Sequence, residues 1–202
     1  MPNKNGTRRY QRIPTEERRI QLIDSATRLI GEYGFRGIAL RDVAEDCDIT
    51  QGGILYHFKT KDELLIAVLD HRDKVDRELL CESLGIDKLG GDPFPVGIKD
   101  LTMATCRMNV ENPQIIKLYA VLQGESLSED HPAWQYFQDR EQWVLEEYTQ
   151  AAKREGLQDP ERAAMVVLAA MDGLQLRWLR SGMTIDFVKE WERIIDRIVR
   201  NL

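Results

Sequence analysis

Helical periodicity runs through almost the whole sequence and limits the folds that the chain can adopt. Apolar residues recur at spacings of three and four, and residues such as Gly34, Pro113 and Gly182 separate one periodic segment from the next. No segment alternates apolar and polar residues between turn residues, as a half-buried strand would. The pattern therefore predicts an all-α fold of about nine helices.

Three short helices are predicted in the N-terminal part of the chain. The first has Thr15 as its N-cap and ends at Gly34, and the third begins at Thr50. Two short helices joined by a tight turn, with the small residue Ala44 at their crossing, are typical of a helix-turn-helix motif. The second helix carries apolar residues at helical spacing, namely Leu40, Val43, Ala44 and Cys47.

Longer helices are predicted beyond this motif. Residues 60–63 have the pattern of a capping box, which opens a fourth helix that runs to about Leu84. We predict an N-terminal domain of residues 1–61 and a C-terminal helical domain of residues 62–202. After a loop rich in Gly and Pro, the remaining helices are expected at roughly 95–109, 113–128, 132–155, 160–181 and 184–201.

The charge of the chain is unevenly distributed. The net charge is −6, but residues 1–61 carry +3 and residues 62–202 carry −9. This asymmetry indicates that only the first domain approaches a polyanion such as DNA. A basic arm ahead of the first helix could lie along the DNA backbone or enter a minor groove, and a solvated tail is the alternative. The basic residues of this arm are Lys4, Arg8, Arg9 and Arg12.

Several classes of protein are not expected from this composition. The longest apolar stretch, residues 163–171, is too short to cross a membrane, and no apolar segment follows the Arg-Arg pair near the start. We therefore expect a cytoplasmic protein without a membrane span. Cys47, Cys81 and Cys106 lack paired spacing and are expected to be reduced thiols. No Glu-x-x-His, His-Glu-x-x-His or Cys-x-x-Cys motif is present, so we expect no catalytic site, metal or cofactor.

Two adjacent glycines open the predicted third helix, in the stretch ITQGGILYHF. A glycine inside a helix costs roughly 1 kcal/mol relative to alanine, so the pair requires a compensating role. If this helix enters a DNA major groove by its N-terminal end, Gly52 and Gly53 let the backbone approach the phosphates. Gln51 is then placed to reach a base edge.

Polar aromatic residues close the same helix. Tyr56 and His57 can donate hydrogen bonds to phosphates while Phe58 turns inward, and Lys59 and Lys61 add positive charge. Partial burial of Tyr56 and His57 as ordinary amphipathic side chains is the alternative.

These segments combine into a recognisable series of motifs. The motifs are, in chain order, Gly34-Phe35, Arg41-Asp42-Val43-Ala44, Thr50-Gln51-Gly52, Tyr56-His57-Phe58 and Thr60-Lys61-Asp62-Glu63-Leu64. With these motifs, residues 15–65 resemble the TetR/AcrR family of transcriptional regulators. The resemblance implies a homodimer with an N-terminal DNA-binding domain and a variable, ligand-responsive C-terminal domain. The DNA-binding residues predicted are Arg41, Thr50, Gln51, Gly52, Gly53, Tyr56, His57 and Lys61.

The sequence departs from the family pattern in two places. Asp48 lies where the turn usually has glycine, and Asp tolerates a left-handed backbone better than most residues. Ile38 and Ala39 lie where family members often have hydroxyl residues, which puts one helix cap and one phosphate contact in doubt.

The last two predicted helices have the pattern of a dimer interface. The first of them is apolar nearly all round and has small residues, and the second has an apolar seam at alternating spacings of three and four. Pairing both with their symmetry mates would give a four-helix interface, and burial inside one chain is the alternative. The predicted interface residues are Ala169, Gly173, Val188, Trp191, Ile195 and Ile198.

Aromatic and methionine side chains concentrate in the middle helices and could line an effector pocket, although core packing explains any one of them as well. Glu125, Glu147 and Asp172 are candidates to complement a cationic ligand, with surface positions favoured for the first two. The predicted pocket residues are Met103, Tyr119, Trp134, Phe137, Trp143, Met165 and Trp178.

We interpret the sequence as a ligand-responsive transcriptional regulator that binds a palindromic operator of double-stranded DNA as a dimer and is released by a small molecule. A transcriptional activator of the same fold is an alternative. Less favoured are a small helical enzyme or metal carrier and a helical interaction module that does not bind DNA. The fourth helix starts beside the third and continues into the second domain, so its tilt could transmit the signal.

Overall fold

The computed structural model describes residues 14–87 and 93–202, and within them the chain forms nine helices and no strand. The all-α prediction is therefore confirmed. The helices are α1 (Thr15–Tyr33), α2 (Leu40–Asp46), α3 (Gln51–His57), α4 (Lys61–Leu84), α5 (Ile98–Glu111), α6 (Pro113–Glu125), α7 (Trp134–Glu155), α8 (Pro160–Arg180) and α9 (Phe187–Asn201). The basic arm of Lys4, Arg8, Arg9 and Arg12 lies outside the described residues.

Two helix starts differ in detail from their prediction. Pro14 is the N-cap of α1, and Thr15 is its first helical residue, because Pro suits the extended backbone ahead of a helix. At α4, the hydroxyl of Thr60 accepts a hydrogen bond from the Glu63 N–H at 3.0 Å, as predicted. The Glu63 carboxylate accepts from the N–H of Lys59 at 2.7 Å rather than from the cap residue itself.

The turn between α2 and α3 follows the prediction at Asp48. Its φ of +53° lies in the left-handed region, which glycine adopts freely and Asp tolerates better than most residues. At the start of α2, the carboxylate of Asp42 accepts a hydrogen bond from the Ala39 N–H at 2.7 Å. Half of a reciprocal cap therefore forms although Ala39 has no hydroxyl.

One hydrophobic cluster lies beneath the first three helices. It contains buried residues of α1, α2 and α3, such as Ala26, Val43 and Ile54, and continues along α4 to Leu69. It also includes residues of α6 and α7, so the first three helices pack on the rest of the chain. The predicted domain boundary after residue 61 stays a prediction, and it falls within this cluster.

A second cluster is formed by α5, α7, α8 and α9, with Cys81 from the far end of α4. Helix α4 therefore contributes to both clusters. Placing Trp191 and Ile195 at a dimer seam was wrong, because both are fully buried inside this chain; Ile198 and the partly buried Val188 pack in the same cluster. Their spacing reflects burial against neighbouring helices of one chain, which produces the same pattern as an interface between chains.

Candidate DNA-binding surface and internal cavity

Arginine side chains of α1 fix the helix-turn-helix in place. Arg18 donates to the carbonyl oxygen of Cys47 at 3.4 Å, and Arg19 donates to that of His57 at 3.2 Å. The Arg19 guanidinium also lies 4.3 Å from the centre of the Phe58 ring. Each of these contacts places a positive charge at the C-terminal end of a short helix, where it stabilises the unpaired carbonyls. Helix α1 thus contacts the C-terminal ends of both α2 and α3.

A charged cluster joins α1 to α2. The hydroxyl of Ser25 donates to Asp46 at 2.6 Å, and Arg28 donates to the same carboxylate. These two hydrogen bonds hold the pKa of Asp46 below its usual range, and the hydrogen bond from Ser25 has the larger effect.

Helix α3 turns one face into the core and leaves the other in solvent. Ile54 and Phe58 are fully buried, whereas the Tyr56 side chain is 70% exposed and Gln51 is exposed as well. Arg41 of α2 is also exposed, within 3.7 Å of Asp42 and Glu45 on its own helix. An exposed helix face with Gln and Tyr residues fits the recognition helix of a helix-turn-helix.

The two glycines of α3 are not required by the packing of this chain. A Cβ placed on Gly52 would meet only the Thr50 hydroxyl, at 3.8 Å, and one on Gly53 would meet Ile49 at an ordinary contact distance of 3.4 Å. Neither glycine has a positive φ. Alanine would fit at both positions and is a better helix former, so the packing of this chain gives no reason for glycine there.

Three predicted DNA-binding residues make contacts within the protein. The hydroxyl of Thr50 accepts a hydrogen bond from the Gly53 N–H at 3.1 Å and caps α3. His57 is half-buried, and burial, followed by the charges of Arg19 and Arg18, lowers its pKa. Lys61 donates to the carbonyl oxygens of Phe35 (2.9 Å) and Ile38 (3.0 Å), so it stabilises the loop between α1 and α2. Their contacts with DNA remain predictions.

An internal cavity of about 120 Å³ lies between α4, α5, α6, α7 and α8. Apolar and aromatic side chains such as Phe94, Tyr119 and Trp143 line it, together with charged residues from α4, α7 and α8. A second space, a groove between α6, α7 and α8, adjoins the cavity. The two share five lining residues, namely Gln123, Arg140, Val144, Leu168 and Asp172.

The predicted pocket residues are divided among different environments. Tyr119 and Trp143 line the cavity. Trp134, Phe137 and Met165 line the adjoining groove, where Met165 is 59% exposed. Placing Met103 and Trp178 in the pocket was wrong: both are buried in the second cluster, where the Trp178 ring stacks on Phe187 at 5.2 Å.

Asp73 of α4 is a hydrogen-bonding centre that the sequence analysis did not identify. Its carboxylate accepts from the hydroxyl of Tyr119 on α6 at 3.0 Å, from the hydroxyl of Tyr136 on α7, and from Arg140 on α7 at 3.3 Å. Burial is the main cause of the raised pKa values of both tyrosines, so both hydroxyls stay protonated donors. This centre ties α4 to the wall of the cavity.

Two carboxylates expected at the surface are engaged inside the protein. Glu147 is only 6% exposed, accepts a hydrogen bond from the Phe94 N–H at 2.6 Å and pairs with Arg77 at 3.5 Å. Glu125, at the end of α6, accepts from the Phe35 N–H at 2.8 Å, and its carboxylate lies within 3.9 Å of the buried His131. The expectation of a surface position was wrong for Glu147, whereas the Glu125 side chain is still 25% exposed.

The described helices include none that is long and apolar enough to span a membrane. Residues 14–87 and 93–202 also contain no group of three or more His, Cys, Asp or Glu side chains arranged to hold a metal ion.

Comparison with known proteins agrees with this geometry. The model of the family described as bacterial regulatory proteins, tetR family, matches residues 22–68. The chain is 28% identical over 191 residues to the HTH-type transcriptional regulator TtgR of Pseudomonas putida, covering 90% of this chain and 89% of that protein. It is 24% identical over 184 residues to the HTH-type transcriptional regulator AcrR of Shigella flexneri, covering 87% and 84%. The solved SmeT–triclosan complex has a TM-score of 0.72 at 18% identity and covers 90% of each chain.

A helix-turn-helix held by α1, with an exposed third helix and a helical body behind it, defines a DNA-binding transcriptional regulator. The tetR family model covers the helix-turn-helix of this chain, residues 22–68, and the family resemblance of residues 15–65 is confirmed.

Proposed function

We propose that this regulator is a repressor that binds a palindromic operator as a homodimer and leaves it when a small molecule occupies the cavity. The observation that carries the proposal is the pair of glycines at the exposed start of α3, which the packing of the chain does not require. Glycine at these positions lets the backbone approach DNA phosphates within hydrogen-bonding distance.

The remaining predicted DNA contacts surround these glycines. Gln51 is exposed in the first turn of α3 and would reach a base edge, while Tyr56 would donate to a phosphate. Arg41 would reach the backbone from α2, since its pairs with Asp42 and Glu45 are exposed and weak.

The outer face of α8 is the surface that would hold the dimer together. Val166 and Leu176 are exposed there in one chain, next to Gly173, and Ala169 lies at the edge that this face shares with the groove. A Cβ on Gly173 would meet no atom within 4 Å, so glycine is not required by packing inside the chain. Small residues on an exposed apolar face permit the close approach of a second helix. Two chains paired here would present two recognition helices to a two-fold DNA site.

Two contacts would carry the signal from the cavity to the DNA-binding helices. Asp73 links α4 to the cavity residues Tyr119 and Arg140, and α4 leads directly to α3. Helix α6 also reaches the first three helices, because Glu125 holds the N–H of Phe35. A ligand that moves α6 or α7 would therefore shift both α4 and the first three helices. A 100-fold loss of DNA affinity requires about 2.7 kcal/mol of coupling.

Fluorescence anisotropy with the DNA that flanks the gene tests this function. We expect nanomolar binding that weakens steeply with salt, because phosphate contacts release counterions. A scrambled duplex of the same length and composition is the control. Equal affinity for both duplexes, or binding that does not respond to salt, would refute the proposal.

A further inference from the structure

Four carboxylates line the cavity, and three of them are paired with arginines. The pairs are Asp73 with Arg140 at 3.3 Å, Asp76 with Arg72 at 2.5 Å, and Glu147 with Arg77 at 3.5 Å.

The fourth carboxylate, Asp172, lacks such a partner. It is half-buried on α8 and makes no hydrogen bond or salt bridge with residues 14–87 or 93–202. Arg140 acts on it at longer range, but that guanidinium is bonded to Asp73. Burial raises the pKa of Asp172, as expected for a carboxylate whose charge is poorly compensated.

Asp172 lies at the junction of the cavity and the groove, since it lines both. A ligand that enters the cavity from the groove passes this carboxylate. Its charge therefore acts on the part of the ligand that connects the two spaces.

The aromatic walls of the cavity already bind cations. The guanidinium of Arg77 lies 4.8 Å from the centre of the Phe94 ring and 5.7 Å from that of Trp143. Arg140 lies 4.6 Å from the centre of the Tyr119 ring. These ring faces are therefore occupied, and both guanidiniums also pair with carboxylates, Arg77 with Glu147 and Arg140 with Asp73. Asp172, which has no arginine partner among the described residues, is the group that favours a positive ligand over an anion.

The volume of the cavity sets the size of the buried group. At about 120 Å³ it is comparable to an engineered cavity of roughly 150 Å³ that holds benzene. One aromatic ring or a similar apolar group fits inside, and a larger ligand would extend into the groove lined by Trp134 and Phe137.

We propose that the effector is an organic cation with an aromatic or similarly sized apolar group, and that Asp172 is its counter-ion at the junction of cavity and groove. This assignment rests on the proposed effector role of the cavity. Neutral ligands would fill the same space but leave Asp172 uncompensated, and anions would meet it as a like charge.

A pair of probes that differ in charge alone tests the assignment. Phenyltrimethylammonium is a cation of suitable size, and tert-butylbenzene is its uncharged isostere. Ligand-observed NMR titration of the full chain without DNA measures both affinities. We expect the cation to bind at least about tenfold more tightly, which corresponds to about 1.4 kcal/mol.

Two substitutions locate the charge responsible. Asp172→Asn should lower the affinity for the cation about tenfold and leave that for tert-butylbenzene unchanged. Glu129→Gln removes the same charge from an exposed residue between α6 and α7 and should change neither affinity.

Three results would overturn the assignment: equal affinities in the unsubstituted protein, an unchanged cation preference in Asp172→Asn, or no binding of either probe. The first and third need no variant, so they do not depend on how Asp172→Asn folds. Since DNA is absent from these titrations, such a result leaves the repressor function to be judged by the anisotropy experiment.

Discussion

Replacing Gly52 with alanine should make the protein more stable and yet weaken its binding to DNA. The nearest atom to the added methyl group inside the chain would be the Thr50 hydroxyl at 3.8 Å, so nothing opposes the better helix former. A Gly→Ala change at a compatible helical position stabilises by about 0.5–1 kcal/mol. For a protein of this size, we expect the melting temperature to rise by roughly 1–4 °C.

The expected effect on DNA binding has the opposite sign. The N–H of Gly52 lies in the first turn of α3, where it has no acceptor within the helix. The new methyl group would hold the backbone away from the phosphate. A hydrogen bond to a charged group is worth about 1.5–3 kcal/mol, so affinity should fall by roughly 10- to 150-fold.

Calorimetry and fluorescence anisotropy at one salt concentration measure the two effects on the same sample. Gly124→Ala is a matched control, because Gly124 is also an exposed helical glycine with no atom within 4 Å of an added Cβ, but it lies on α6. It should raise stability without changing DNA affinity. If Gly52→Ala also leaves the affinity within twofold, close approach of the backbone to DNA is not the reason for glycine.

Three further predictions concern the body of the protein. Gly173→Arg should convert the proposed dimer to a monomer in sedimentation velocity while the helical circular dichroism is kept, since a Cβ added at Gly173 meets no atom of its own chain within 4 Å. Asp73→Asn should lower the free energy of unfolding by about 2 kcal/mol and speed hydrogen exchange in α4, because Tyr119, Tyr136 and Arg140 lose a charged acceptor. Stability should fall as the pH drops below about 6.5, because burial holds the pKa of His131 under its unfolded value and the unfolded chain takes up the proton first. Denaturant titrations between pH 8 and pH 5 measure this slope, which His131→Gln should reduce.

Each of these has a contradicting result. The control variant Gly124→Arg introduces arginine on α6 instead and should leave the proposed dimer intact. If Gly124→Arg dissociates the dimer as strongly as Gly173→Arg, α8 is not the interface. Unchanged exchange in Asp73→Asn would remove Asp73 as the link between α4 and the cavity. A pH slope identical with and without His131 would assign the pH dependence to other groups.

The parts of the fold that local signals determine could be predicted from the sequence. The turn at Asp48, the Thr60 cap and the periodic burial of Val43, Ala44 and Ile54 depend on neighbouring residues, and the structure agrees with them. The exposed face of α3 follows from the same periodicity.

The helices after α3 were harder to predict. A periodic apolar pattern indicates that one face of a helix is buried, but not which helix or which chain covers that face. Trp191 and Ile195 have the spacing of an interface, yet they are buried in their own chain. Trp178 and Tyr119 are both large aromatic residues, and only the arrangement of distant helices places one in the core and the other at the cavity. Asp73 looks like any polar residue of a long helix until α6 and α7 are folded against it.

Hydroxyl-radical footprinting of the flanking DNA tests the central claim, that two recognition helices grip one duplex, most directly. The structure and the proposed dimer predict two protected patches related by two-fold symmetry, with centres one helical turn, about 34 Å, or a multiple of it apart. Both patches should weaken together in Gly52→Ala. A single unsymmetrical patch, or protection that Gly52→Ala leaves unchanged, would contradict the claim that two recognition helices bind one duplex.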